Sequence, residues 1–157
     1  MKTTIGIDPD VTKSGIAFCR DGVLTEATAL PFPELLDLLR YEINNNLPCN
    51  ELTIIIEAGW KNASNWHIRR GETPNIAAKK GEAVGRCHQV GMLLLEYCEH
   101  INDKSAIIMA VKPLRKIWHS RDGKITAKEL ERLTNYKGRT NQEARDAALL
   151  AWTYRNY

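Results

Sequence analysis

The N-terminal part of the chain alternates short apolar runs with turn residues, a pattern that predicts strands. Residues 3–7 are mostly β-branched and carry no charge, which predicts a buried strand. Residues 16–20 and 23–29 are two further runs joined at Asp21-Gly22, a dipeptide typical of tight hairpins. Together the three runs predict an antiparallel meander at the start of the chain.

A helical repeat and a fourth apolar run follow the meander. Residues 33–44 place leucine and isoleucine at helical spacing and begin with proline, which suits the first turn of a helix. Residues 52–58 then form a strand-length run that carries an acid near its end. Because a strand–helix–strand connection within one sheet is almost always right-handed, this fourth strand is expected to lie parallel to the first.

The rest of the chain predicts helices around a fifth strand. A long helix, the strand and three shorter helices are predicted, in that order, at residues 75–99, 105–111, 114–118, 126–134 and 141–154. The expected fold class is therefore α/β, with a five-stranded mixed sheet (a three-strand antiparallel meander plus parallel strands) flanked by helices. With 157 residues, the chain from 1 to 157 is expected to form a single domain.

Four acidic residues stand where this topology can bring them together. Asp8 and Glu57 end the first and fourth strands, and parallel strands put their carboxyl ends at the same edge of a sheet. Glu143 and Asp146 are three residues apart on the last helix and share a face, beside alanines that allow close packing on the sheet. Two alternatives remain open: Asp8 as a turn cap, and Glu143 in a capping box that begins at Thr140.

Four converging carboxylates repel one another unless cations lie between them, and the repulsion raises each pKa. Mg²⁺ prefers oxygen ligands, and two such ions roughly 4 Å apart make a site that cleaves phosphodiesters. The sequence thus predicts a two-Mg²⁺ site, with Mn²⁺ able to substitute, whose ligands are Asp8, Glu57, Glu143 and Asp146.

Charge and cysteine usage limit the class of protein further. The net charge is only +3, which permits nucleic-acid binding without demanding it. The cysteines form no Cys-x-x-Cys pair and are expected to be reduced thiols of an intracellular protein. Because neither a signal peptide nor a membrane-spanning apolar run is recognisable, we expect a cytoplasmic protein with no membrane contact.

Basic and aromatic residues concentrate in the loops expected near the acids. The candidates for DNA binding are Trp60, Lys61, Trp66, Arg69, Arg70, Lys79 and Lys80 in one group and Arg115, Lys116, Arg121 and Lys124 in a second. Lysine and arginine in such groups bind phosphates, and a loop tryptophan can stack on an unpaired base. The alternatives are that the charges are solvated surface and that the tryptophans fold back onto the core.

Three motifs carry a family resemblance over nearly the whole chain. They are Ile5-Gly-Ile-Asp8-Pro-Asp10 with Gly15, Ile55-Ile-Glu57, and Glu143-Ala-Arg-Asp146-Ala147. In this order they resemble RuvC, the Holliday-junction resolvase of bacteria and phages, whose family belongs to the ribonuclease H-like superfamily. The resemblance implies a ribonuclease H-like fold and includes the phage or prophage type of the family.

The resemblance also implies roles for single residues. Lys112, at the end of the fifth strand, is similar in position to a catalytic lysine of the family. Lys128 is similar in position to a second catalytic lysine, a role for which Lys124 is the competing candidate. Trp60 is similar in position to an aromatic residue that the family inserts at the junction crossover.

The implied function is a crossover junction endodeoxyribonuclease. As a homodimer with its interface on the long helix, it would nick four-way DNA junctions symmetrically and leave 5′-phosphate and 3′-hydroxyl ends. A branch-migration helicase is an implied partner, and a bacterial cell or phage-infected host the implied setting. Two other hypotheses stay open at this point: a ribonuclease H-like nuclease that processes structured RNA, and a catalytically impaired protein that only binds junctions.

Overall fold

The structure, a computed structural model, describes residues 1–47, 49–62, 71–103, 105–120 and 122–157. Four residues predicted to bind DNA lie outside the described residues: Trp66, Arg69, Arg70 and Arg121. The described residues contain a five-stranded sheet with the strand order β3-β2-β1-β4-β5. Its strands are β1 (Lys2–Asp8), β2 (Ser14–Arg20), β3 (Val23–Leu30), β4 (Glu51–Glu57) and β5 (Ala106–Val111).

The strand directions confirm the predicted mixed sheet. β1 pairs antiparallel with β2, and β2 pairs antiparallel with β3, which makes the meander. The hairpin between β2 and β3 turns at Asp21 and Gly22, both with positive φ, as a tight hairpin requires. β4 runs parallel to β1, and β5 runs parallel to β4. The α/β fold class and the five-stranded mixed sheet predicted from the sequence are therefore confirmed.

Helices cover both faces of the sheet. They are α1 (Phe32–Asn44), α2 (Pro74–Ile101), α3 (Ala127–Thr134) and α4 (Gln142–Tyr154). A short 3-10 turn, Gly59–Lys61, follows β4. One hydrophobic core lies between the sheet and α1 with the end of α2, and it includes Leu35, Leu39 and Leu94. The other core lies between the sheet and α3 with α4.

α4 lies unusually close to the sheet because both surfaces consist of small residues. Ala147, Ala148 and Ala151 are completely buried. A Cβ atom added at Gly6 of β1 would come within 2.3 Å of the Ala147 carbonyl oxygen. One added at Gly15 of β2 would come within 2.0 Å of the backbone oxygen of Glu143. The backbone of α4 therefore rests almost directly on β1 and β2.

Two helix predictions need correction. Residues 114–118 do not form a helix; the segment is irregular, and the Trp118 amide donates to the Gly123 carbonyl at 3.0 Å. The Gly123 amide in turn donates to the Ser120 carbonyl at 2.9 Å, and these contacts hold the segment as a loop. α2 begins at Pro74 rather than at 75, because the Thr73 hydroxyl accepts the Ile76 amide and makes Thr73 the cap. Among the described residues, no helix has the length and apolar content needed to cross a bilayer.

Candidate active site

All four predicted acids line one cleft at the edge of the sheet. Ile7 of β1 pairs with Ile56 of β4, so the parallel register puts Asp8 and Glu57 side by side at the carboxyl ends of the two strands. Glu143 and Asp146 reach the same cleft from the first two turns of α4. The cleft has a volume of about 880 Å³, and its rim also includes Trp60, Arg115, Lys116 and Lys124. The topology thus unites acids that lie far apart in sequence.

Burial and mutual repulsion raise the pKa values of the two strand-end acids. Burial contributes most to the raised pKa of Asp8, and the charges of Glu57, Asp146 and Glu143 add to it. Burial also contributes most to the raised pKa of Glu57, about 6, and the charge of Asp146 adds to it. Asp8 and Glu57 therefore hold protons more tightly than isolated carboxyls do.

Lys124 supplies positive charge inside the acid cluster. Its Nζ donates to Asp146 Oδ2 at 2.6 Å, and its side chain is 34% exposed against 16% for Asp146. The same charge lowers the pKa values of Asp8 and Glu57, and a further contribution from Lys116 acts on Glu57. The pKa of Lys124 is raised despite its burial, because Asp146, Asp8 and Glu57 all favour the ammonium form.

Gln142 and Arg145 hold Asp146 and the Lys124 loop together. Gln142 Nε2 donates to Asp146 Oδ1 at 2.8 Å, and Arg145 donates to Gln142 Oε1 at 2.9 Å. Arg145 Nε also donates to the carbonyl of Ile125 at 3.2 Å, directly after Lys124. These two residues were missed by the sequence analysis. The sequence feature that could have indicated Gln142 is its spacing from Asp146, since residues four apart lie on one face of a helix.

The structure decides against the two capping alternatives. Asp10, not Asp8, caps the turn after β1: its Oδ1 accepts the Thr12 amide at 2.8 Å. At the start of α4 the cap is Asn141, whose side-chain oxygen accepts the Ala144 amide at 2.9 Å. The cap at Thr140 that would have given Glu143 a capping-box role is therefore not formed. Both acids remain available for chemistry in the cleft.

The predicted lysines differ in where they lie. Lys116 and Lys124 line the cleft, whereas Lys112 and Lys128 are not among its lining residues. Lys112 is exposed just after β5, and Lys128 lies in a surface depression with residues of α3 and its C-terminal cap. The structure therefore brings Lys124 rather than Lys128 to the acids. The reason is the loop before α3, which turns back at Gly123 and places Lys124, just before the helix, next to α4.

The other described candidates for DNA binding lie at or near the cleft or on the exposed surface. Lys61 Nζ donates to the Ala110 carbonyl at 2.6 Å. Lys80 lines the cleft and pairs with Glu72, and Lys79 is exposed. Arg115 is exposed at the cleft rim.

Trp60 combines burial with access to the cleft. A Cβ atom at Gly91 would lie 2.5 Å from its ring, so the indole packs directly on α2. The His88 ring meets the indole edge-on, with centroids 6.5 Å apart. Trp60 thus packs against the core while bordering the cleft. Most of the Trp60 side chain is therefore packed onto the core, as the alternative interpretation expected.

The donor set of the cleft suits a hard divalent cation. Asp8, Glu57, Glu143 and Asp146 offer carboxylate oxygens, the ligands that Mg²⁺ prefers. In the described residues, however, no group of three or more His, Cys, Asp or Glu side chains is arranged as a ready metal site. Lys124 instead provides the positive charge among the acids. A bound metal would therefore require its ammonium group to move.

Comparison with known proteins gives similarity in structure only. No protein-family model matches the chain, and no curated protein matches it. A solved structure described as Thermus thermophilus RuvC in complex with Holliday junction substrate shares 14% identity and a TM-score of 0.47, covering 98% of this chain and 92% of that chain. A second Thermus thermophilus RuvC structure shares 18% identity and a TM-score of 0.40, covering 96% and 92%. At this level of similarity, the function of the chain has to be inferred from its own site.

Proposed function

We propose that this chain is a divalent-metal-dependent endonuclease that resolves four-way DNA junctions. The observation that carries the proposal is the convergence of Asp8, Glu57, Glu143 and Asp146 on one open cleft. Carboxylates gathered this closely are costly unless cations neutralise them, and phosphodiester cleavage is the chemistry for which such sites are suited. The family resemblance of the motifs around these acids supplies the choice of a branched DNA substrate.

In this proposal, the four acids hold two Mg²⁺, for which Mn²⁺ can substitute. The bound metal supplies charge neutralisation at the scissile phosphate and a water of lowered pKa. Asp8 and Glu57 orient their carboxylates from strand ends that are rigid, because both strands are hydrogen-bonded on both sides within the sheet. Asp146 is oriented by the Gln142 amide. The chain therefore provides preorganised oxygen ligands rather than a nucleophile of its own.

Lys124 and Lys116 are the lysines that we assign to the scissile phosphate. Both line the cleft and act electrostatically on the acids. An ammonium group beside the reacting phosphate would stabilise the negative charge that develops in the transition state. Lys112 and Lys128, the candidates favoured by the motif resemblance, are better assigned to more distant DNA contacts.

The strand symmetry of junction cleavage leads us to propose a homodimer. The first half of α2 supports this: between Pro74 and Val90 no residue of the helix is buried in the single chain. Added Cβ atoms at Gly81 and Gly85 would meet nothing within 4 Å. A second copy packed along this half of the helix would cover it and set two clefts at a fixed distance. Light scattering of the free protein would test for the dimer.

The decisive experiment is cleavage of a four-way DNA junction in Mg²⁺ and in Mn²⁺. We expect paired nicks with 5′-phosphate and 3′-hydroxyl ends. Asp146→Asn should lower the cleavage rate by at least about 10²–10³-fold, since one charged ligand of a preorganised site is lost. Asp37→Asn, an exposed aspartate on α1, is the matched control and should cleave normally.

Two other outcomes would redirect the proposal. Faster cleavage of a structured RNA of the same branching would make RNA the substrate class. Tight junction binding without product in either metal would mean that the chain is a binding protein.

A further inference from the structure

The ammonium group of Lys124 is paired with one of the acids of the cluster. It lies 2.6 Å from Asp146 Oδ2, and its charge also acts on Asp8 and Glu57. The lysine is partly buried, which costs solvation free energy that only the neighbouring carboxylates can offset. Lys124 thus supplies to the metal-free cleft the kind of charge that a bound cation would bring.

Both oxygens of Asp146 are already engaged in this state. Lys124 donates to Oδ2, while Gln142 Nε2 donates to Oδ1 at 2.8 Å. A divalent cation coordinated at Oδ2, at the usual distance of roughly 2.1 Å, would lie within a few ångströms of the ammonium nitrogen. Two positive charges so close in a partly buried site repel strongly. The ammonium in this position therefore opposes metal coordination at Asp146 Oδ2.

The loop that carries Lys124 is tied down so that the side chain can move while the backbone stays. Arg145 Nε donates to the Ile125 carbonyl, and Arg145 Nη1 donates to the Thr140 carbonyl at 2.9 Å. Ile125 itself is completely buried. The four rotatable bonds of the lysine side chain then allow its ammonium to leave Asp146 and remain beside the cleft.

We propose that Lys124 is an exchangeable internal counter-ion: it neutralises the acid cluster without metal, and a divalent cation displaces it from Asp146. The proposal rests on the proposed function in taking the four acids as metal ligands. It makes Lys124 a competitor of the metal in the resting protein. The displaced ammonium is then free for the phosphate of the substrate, so one side chain serves both states.

Isothermal titration with MnCl₂ tests the exchange without DNA or turnover. We expect Lys124→Met, which keeps the length of the side chain but removes its charge, to bind Mn²⁺ about tenfold more tightly than the wild type. Lys128→Met is the matched control, since it removes the same charge from a lysine outside the cleft. Its Mn²⁺ affinity should stay within about twofold of the wild type, because solvent and salt screen the distant charge.

Thermal unfolding in EDTA gives a second readout. Lys124→Met should have a lower Tm than Lys128→Met without metal, and added Mn²⁺ should raise its Tm more. If Lys124→Met is too unstable to titrate, Lys124→Gln replaces it, because it keeps a polar side chain at this position without the charge. The same increase in Mn²⁺ affinity is expected for this variant.

Unchanged or weaker Mn²⁺ binding by both Lys124 variants would overturn the exchange, and so would an equal gain in Lys128→Met. These results do not depend on nuclease activity. Tighter binding by Lys124→Met with no cleavage of junctions by the wild type would support the counter-ion and refute the proposed function. Mn²⁺ affinities of the Lys124 variants equal to that of the wild type, together with junction cleavage by the wild type, would support the proposed function and refute the counter-ion.

Discussion

The helices α4 and α2 differ sharply in how much of their length is buried. α4 has 13 residues, of which Ala144, Ala147, Ala148, Leu150 and Ala151 are buried. α2 is 28 residues long, yet its buried residues are Gly91, Leu94 and Cys98, all in its second half. The shorter helix is buried along most of its length in the single chain, whereas the first half of the longer one has no buried residue.

This difference separates the two tasks that the proposed function requires. Catalytic carboxylates need positions fixed to within a fraction of an ångström, and α4 provides this by resting its backbone on glycines of β1 and β2. A surface for a second copy needs free area, and the first half of α2 provides this. We expect mutations on the two sides to respond in opposite ways.

The largest expected effect is on the α4 side. Gly6→Ala would place a Cβ atom 2.3 Å from the Ala147 carbonyl oxygen and 2.5 Å from the Ala151 amide nitrogen, both backbone atoms that cannot move cheaply. We expect the free energy of unfolding to fall by about 3 kcal/mol, at the upper end of overpacking costs. Urea denaturation monitored by circular dichroism measures it. A loss below about 0.5 kcal/mol, the range of ordinary surface substitutions, would mean that α4 is not held as tightly as described.

An intermediate effect is expected from the acids in the cleft. The raised pKa of Glu57, about 6 against a usual 4.5, makes the metal-free folded protein bind more protons than the unfolded chain between these pH values. The contribution of Glu57 to stability in EDTA, about 2 kcal/mol, is therefore fully present below about pH 4.5 and is lost as pH rises through 6.

Urea midpoints measured from pH 4.5 to 8 in EDTA, for the wild type and Glu57→Gln, check this sign. The substitution should flatten this part of the profile and make the protein more stable at pH 7. Glu96→Gln, on the exposed surface of α2, is the matched control. Identical profiles for the wild type and Glu57→Gln would show that Glu57 does not sit among repelling charges. Saturating Mg²⁺ should remove the loss for the wild type.

The smallest effect is expected on the α2 side, and it is stabilising. Gly85→Ala adds a methyl group where nothing lies within 4 Å, so the substitution meets no steric cost in the single chain. The gain in helix propensity should raise the free energy of unfolding by about 0.8 kcal/mol. Urea denaturation at low protein concentration measures it. If the variant is instead destabilised in a manner that depends on protein concentration, this glycine lies in the interface of a dimer.

The elements that depend on local pattern could be predicted from the sequence. The hairpin at Asp21-Gly22 needs positive φ at both residues; it was predicted and is present. The helix predicted at 126–134 is also present, and the local capping box of Thr126 with Glu129 fixes its start. Elements set by distant partners were predicted less well. Residues 114–118 have a helical pattern, but they form a loop in which the Trp118 amide donates to the Gly123 carbonyl.

By itself, the sequence determined the three-strand meander, the parallel course of β4 and β1, the strand-end positions of Asp8 and Glu57, and the alanine face of α4 that accompanies Asp146. These follow from periodicity, handedness and side-chain size, which act over a few residues or along one chain direction. Only the tertiary structure decided that Lys124 rather than Lys128 meets the acids and that Gln142 and Arg145 orient Asp146. It also decided that Trp60 packs on Gly91. The reason is that these contacts join residues whose separation is spatial, and a turn of the loop before α3 can direct either lysine inward without changing the local pattern.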